Sequence, residues 1–109
     1  MKDITLRQLQ KAIKKIDTLK MGDSKPSDRY FMKMMEEVGE LGESIRKNQR
    51  MKDNNIKGTV EEELYDVLYY IICLANTYDI DLQNSIILKE ELNAKKYNRE
   101  SICNGIDEI

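Results

Sequence analysis

The stretch "TVEEELYDVLYYIICLAN", Thr59 to Asn76, decides the fold class. Thr59 followed three residues later by Glu62 is a capping-box signature, in which a hydroxyl and a carboxylate satisfy N–H groups at a helix start. Val60, Leu64, Val67, Leu68, Ile71, Leu74 and Ala75 then recur at the spacing of one helical face. Tyr65, Tyr69 and Ile72 fall outside that stripe, so the apolar surface is wider than one partner helix covers. This helix, over about residues 60–78, is therefore expected to be central or shared with another subunit.

Outward from it the chain reads as further helices. "NQRMKDNNIKG", Asn48 to Gly58, is polar and aperiodic and reads as a mobile connection. Before it, Phe31, Met34, Val38, Leu41 and Ile45 form one stripe of a helix over about 28–48, capped by Ser27 or Asp28 after the turn-rich "MGDSKPSDR". Thr5 and Gln8 form another capping-box signature ahead of Leu6, Leu9, Ile13 and Ile16, giving a first helix over about 6–19. Asp81 caps a fourth over about 82–97, with Leu82, Ile86 and Leu92 as its apolar positions, and the tail 98–109 carries no pattern. The expectation is a single all-α domain spanning 1–109.

Composition narrows the function. Charged residues make up 35% and hydrophobic ones 40%, with five glycines and one proline, which favours long helices. The formal charge is -2 with Lys and Arg spread along the chain, so no nucleic-acid footprint stands out. "VLYYIICLA" is far shorter than the ~20 apolar residues that span a bilayer, and "MKDITLRQLQ" lacks a signal-peptide apolar region, so no membrane partner and a cytoplasmic location are expected. Two cysteines and no histidine remove the common zinc sites, a disulfide framework and the usual general base. Catalysis must then rest on carboxylates, Lys, Tyr, Ser or a metal. A chain of this length buries a modest core, and the width of the third helix's apolar face points to a homo-oligomer.

"MKMMEEVGELGESIRKN", Met32 to Asn48, gathers Glu36, Glu37, Glu40 and Glu43 on one helix. Glu37 and Glu40 are three apart, as are Glu63 and Asp66, and both pairs lie on the flank of an apolar stripe. Antiparallel packing lets those flanks meet, and oxygen-rich clusters suit hard divalent cations. The ordinary meaning of such a stripe is a solvated face, which places Lys or Arg one turn away. Glu37 has Lys33, and Glu43 has Arg46 and Lys47, but Glu40, Glu63 and Asp66 have no basic neighbour on their own helix. Their cation must come from another element or from solution. Gly39 and Gly42 each cost ~1 kcal/mol inside a helix, and are read as allowing close approach of another helix.

"EEVGE", 22 intervening residues, then "ELYD" resembles the EExxE and ExxD signature of the MazG-like all-α nucleoside triphosphate pyrophosphohydrolases. "EEVGELGESIRK", "EEELYDVLYYIICLANTYDIDL" and "LKEELNAKKY" extend the similarity from about Tyr30 to Tyr97. The resemblance implies a four-helix-bundle-like domain assembling as a homodimer or tetramer. It implies hydrolysis of a nucleoside, deoxynucleoside or modified triphosphate between the α and β phosphates, to a monophosphate and pyrophosphate, in nucleotide-pool sanitation. Glu37, Glu40, Glu63 and Asp66 are then ligands for Mg²⁺, with Mn²⁺ able to substitute, and Glu36 or Glu37 activates water. A glutamate whose pKa is raised by neighbouring acids is a reasonable base where histidine is absent. Tyr70, Lys89 and Asn93 contact the phosphate chain in this reading, with Lys96 a weaker candidate. Tyr70 is four residues beyond Asp66, and Lys89 and Asn93 are four apart, so each pair shares a helix surface. Lys96 and Tyr97 match the family's basic and aromatic helix end, but where the family often continues with proline this chain has Asn98. Two alternatives stay open: a phosphoribosyl-ATP pyrophosphatase-like hydrolase, and a non-catalytic helical interaction module.

Overall fold

The computed structural model describes residues 2–20 and 26–106. Four helices follow one another: α1 (Leu6–Lys20), α2 (Pro26–Arg46), α3 (Val60–Thr77) and α4 (Leu82–Lys96), then a 3-10 turn, Ile102–Gly105. Among the described residues the only β pairing is an isolated bridge between Lys52 and Asn55, so the fold is all-α.

The helix starts follow local chemistry. At α1 the Gln8 N–H donates to Thr5 Oγ1 at 3.1 Å and the Thr5 N–H to Gln8 Oε1 at 2.9 Å, a reciprocal capping box. At α3 the Glu62 N–H donates to Thr59 Oγ1, but the Glu62 carboxylate reaches Gly58 N–H instead, because the Thr59 N–H is already given to Ile56 O. Asp81 accepts from the Gln83 and Asn84 N–H groups to start α4. Helix α2 begins earlier than expected: Pro26 occupies its first position, where a missing N–H costs nothing, so Ser27 and Asp28 lie inside the first turn. The residue that caps it lies outside the described residues.

Helices α2, α3 and α4 end on the same device. Asn48, Asp79 and Asn98 sit at φ 51°, 54° and 51°, and the next N–H returns to a carbonyl five residues back: Gln49 to Ser44, Ile80 to Ala75, Arg99 to Ala94. Asn and Asp tolerate this left-handed turn better than other side chains with a Cβ.

Helices α2 and α3 form the main pair, and their cross-contacts show them antiparallel: Gln49 O accepts from Val60 N–H, Glu37 lies with Glu63 and Asp66, and Tyr30 packs on Tyr70. Helix α1 lies on α3. Ile13, Ile72 and Cys73 form the buried centre, with Leu6, Leu9, Tyr30, Tyr69, Tyr70 and Leu82 around it. Gln10 locks α1 to the α3–α4 turn by donating to Asn76 Oδ1 and Ile80 O and accepting from Leu82 N–H. Arg7–Asp81 and Lys14–Asp79 ion pairs flank it at 2.7 and 3.0 Å.

Several expectations need correction. Ile72, placed off the main stripe of α3, is wholly buried, whereas Leu64, Leu68 and Ile71 of that stripe are exposed. Both faces of α3 are apolar, and the chain covers only one. Phe31, Val38 and Ile45 of α2 are likewise exposed, and a Cβ built on Gly39 or Gly42 meets nothing within 4 Å, so no helix among the described residues approaches them closely. The connection expected to be mobile is tied down: Glu61 accepts from Arg50 and from Met51 N–H, and Glu62 accepts from Gly58 N–H.

Helix α4 packs on α1 and the 3-10 turn, with Leu82 at its start on the core. Beyond that its apolar residues Ile86, Ile87, Leu88 and Leu92 are exposed.

Candidate active site

The α2–α3 pairing brings together acids from two helices. Glu37, Glu63 and Asp66 each offer a carboxylate oxygen, and these oxygens lie within 4.8 Å of one another. The antiparallel register causes this: Glu63 and Asp66, one turn apart on α3, face the middle of α2.

Glu63 is the buried member, 8% exposed, while Glu37 and Asp66 are half-buried. Its carboxyl contacts that of Glu37, and its Oε2 is buried with no hydrogen-bond partner. Burial first, then the Glu37 contact and the charges of Asp66, Glu37 and Glu62, push its pKa up to about 7. Asp66 is also raised, by burial and then by Glu62. An orphaned buried carboxylate oxygen beside two further carboxylates is costly in isolation and is relieved by a proton or a cation. All-oxygen donors on two rigid helices fit a hard divalent cation.

The other expected residues are placed differently. Glu40 is exposed on α2, outside this group of three. Glu36 is exposed and pairs with Lys33 at 3.4 Å, a partner that spacing had assigned to Glu37. Glu43 is held by Arg46 at 2.6 Å and Lys47 at 3.1 Å, and the Arg46 guanidinium, with Lys47, keeps its carboxyl below the usual range. Tyr70 packs edge-on against Tyr69 at 5.2 Å between ring centroids and tilted against Tyr30 at 6.2 Å. Burial is the main cause of its raised pKa; Lys33 lowers it, and Glu37 and Asp66 add to the rise, so the phenol stands near the acids.

Lys89, Asn93 and Lys96 belong to α4, and the chain does not pack that helix along the α2–α3 pair. Asn93 Nδ2 donates to Glu90 Oε1 at 2.9 Å, and Glu90 lies 3.7 Å from Arg99. Lys96 Nζ lies 5.3 Å from the Tyr97 ring centroid. Two participants were missed from sequence. Glu62 raises both Glu63 and Asp66, and Glu90 holds Asn93 through a three-residue spacing that itself could have signalled the pair.

The family model described as the MazG nucleotide pyrophosphohydrolase domain matches residues 26–101, from the start of α2 past the end of α4. The crystal structure of iMazG from Vibrio DAT 722 is 47% identical, with a TM-score of 0.72 over 88% of this chain and 100% of that one. YpjD from Bacillus subtilis is 33% identical over 91 residues, 78% of this chain and 79% of that protein. The crystal structure of Bacillus subtilis YpjD gives a TM-score of 0.65 at 30% identity, over 92% of this chain and 100% of that one.

Proposed function

The chain belongs to the MazG nucleotide pyrophosphohydrolase domain family, and from that premise we propose that it hydrolyses a nucleoside triphosphate between the α and β phosphates, releasing a monophosphate and pyrophosphate. The observation that carries this reading is the convergence of Glu37, Glu63 and Asp66, with the orphaned Glu63 Oε2 among them. The substrate is a canonical, deoxy or modified nucleotide, the work is nucleotide-pool sanitation, and the location is the cytoplasm. Among the described residues no helix is long and apolar enough to cross a membrane.

Glu37, Glu63 and Asp66, joined by Glu40 through a change of side-chain rotamer, would hold Mg²⁺, with Mn²⁺ able to substitute. Such an ion supplies positive charge opposite the phosphate oxygens and acidifies water in the site. The three carboxylates share one site. Within it, Glu37 is better placed than Glu36 to take the proton of the attacking water, because Glu36 is exposed and turned to Lys33. Tyr70, whose phenol stays protonated at neutral pH, donates to a phosphate oxygen.

The working form is a homo-oligomer, a dimer or tetramer. The chain exposes 8901 Å², where a compact monomer of 12.8 kDa exposes about 6300 Å². Apolar faces stay open on α2, α3 and α4. A second copy's α4 is then the route by which Lys89 and Asn93, with Lys96 in a lesser role, reach the phosphate chain.

The test is an assay with a panel of canonical, deoxy and oxidised nucleoside triphosphates plus Mg²⁺ or Mn²⁺. Monophosphate and pyrophosphate are the expected products, and turnover of none of the panel would overturn the reading.

A further inference from the structure

The α2–α3 connection, which the acidic site does not use, borders an open cleft of about 640 Å³. Asn48, Gln49, Arg50, Lys52, Asn55 and Lys57 line it, and Thr59 closes it one turn before Glu63. Between Arg46 and Gly58 the sequence carries five basic residues and a single acid, Asp53, in a chain whose net charge is -2. Arg46 and Lys47 are spent on Glu43, and Arg50 on Glu61. The Lys52 and Lys57 side chains form no ion pair or hydrogen bond among the described residues, and neither do the side-chain amides of Asn48, Gln49 and Asn55.

Two unspent ammonium groups and three unspent amides around one cleft, with no acid in its lining, make a receptor for an anion with several oxygens. The loop is rigidly built for it: Arg50 and Met51 N–H are held by Glu61 and Gly58 N–H by Glu62, the two residues before Glu63. Thr59, which lines the cleft, lies four residues before Glu63, about 6 Å along the helix axis.

We propose that this cleft receives the leaving pyrophosphate end of the substrate, with Lys52 and Lys57 neutralising it. The proposal rests on the hydrolytic reading of the acidic site and adds a polarity to it. The polyphosphate runs from the carboxylates toward the loop, and the nucleoside points the other way along α3, past Asp66 toward Tyr70 and Tyr30. The lysines act at the end where negative charge accumulates as the bond breaks, so they contribute to leaving-group departure as well as to binding.

The experiment has a binding arm and a kinetic arm. Pyrophosphate is titrated into the protein by calorimetry in EDTA at low ionic strength, for wild type, Lys52→Ala/Lys57→Ala, Lys52→Arg/Lys57→Arg and Glu63→Gln. The alanine pair is expected to weaken binding at least tenfold, the arginine pair to restore most of it, and Glu63→Gln to leave it within about twofold. In steady-state hydrolysis the alanine pair is expected to lower kcat/KM for the triphosphate about tenfold or more. Absence of pyrophosphate binding to wild type, or equal binding by the alanine pair, overturns the cleft assignment. Lost pyrophosphate binding with unchanged kcat/KM makes the cleft a separate anion site and overturns the leaving-end assignment. Intact, lysine-dependent binding in a protein that hydrolyses no nucleotide refutes the hydrolytic reading and the leaving-end assignment with it, leaving only an anion cleft.

Discussion

Glu37 on α2 and Glu63 on α3 meet carboxyl to carboxyl, and Glu63 is the buried partner whose second oxygen has nothing to bond. Two acids in contact cannot both stay charged cheaply, so this pair stores a demand for a proton or a cation.

Metal-free stability should therefore fall as pH rises. The folded-state pKa of Glu63 is about 7 against an ordinary 4.5, so between those values the folded chain keeps a proton that the unfolded chain has released. Stability is lost across that window and levels off above it, by roughly 3–4 kcal/mol at most at ~1.4 kcal/mol per pKa unit. In EDTA, wild type should melt lower at pH 8 than at pH 5, and Glu63→Gln should flatten the difference. A wild-type melting temperature that climbs from pH 5 to pH 8 would contradict this.

A divalent cation should reverse that loss, because a ligand of the folded state alone stabilises it. Millimolar Mg²⁺ should raise the melting temperature at pH 8 by several degrees, and less at pH 5, where protons compete. Asp66→Asn and Glu63→Gln should each remove the response, while Glu43→Gln, which only releases Arg46 and Lys47, should keep it. An equal response in all three variants would assign the effect to the general acidic surface.

Ile72 is the wholly buried aliphatic side chain at the centre of the core, so Ile72→Ala should cost about 2–5 kcal/mol in denaturant unfolding. Leu64→Ala, on the open face of the same helix, should cost the isolated chain little and act mainly through assembly.

Sequence reading reached the helices and missed their faces, for physical reasons. Capping chemistry is local, so Thr5, Thr59 and Asp81 marked helix starts correctly. Periodicity shows that a face is apolar but not who covers it, so Leu64, Leu68 and Ile71 of the main stripe stand exposed while Ile72, outside that stripe, is buried. The acids of α3 stood out because they lack basic neighbours. That Glu63 is buried and orphaned, while Glu40 is exposed, depends on the register of α2 against α3, which no local spacing encodes. The ordered 48–59 connection was missed because its ties come from Glu61 and Glu62, on the helix that follows it.

The open apolar face of α4 tests the assembly. Leu92 is 62% exposed within the chain, and Leu92→Glu should shift the mass seen by light scattering from an oligomer toward the monomer while leaving the helical circular-dichroism signal intact. A wild type that is monomeric at micromolar concentration would contradict the proposed assembly.

The central claim is that the Glu37, Glu63 and Asp66 cluster drives cleavage between the α and β phosphates. Phosphorus NMR of the reaction with Mg²⁺ tests it most directly, with wild type and Asp66→Asn compared on the best substrate of the nucleotide panel. The account predicts nucleoside monophosphate and pyrophosphate appearing in equal amounts with wild type, and at least a hundredfold slower turnover with Asp66→Asn. Orthophosphate and nucleoside diphosphate as the first products, or undiminished turnover by Asp66→Asn, would contradict it.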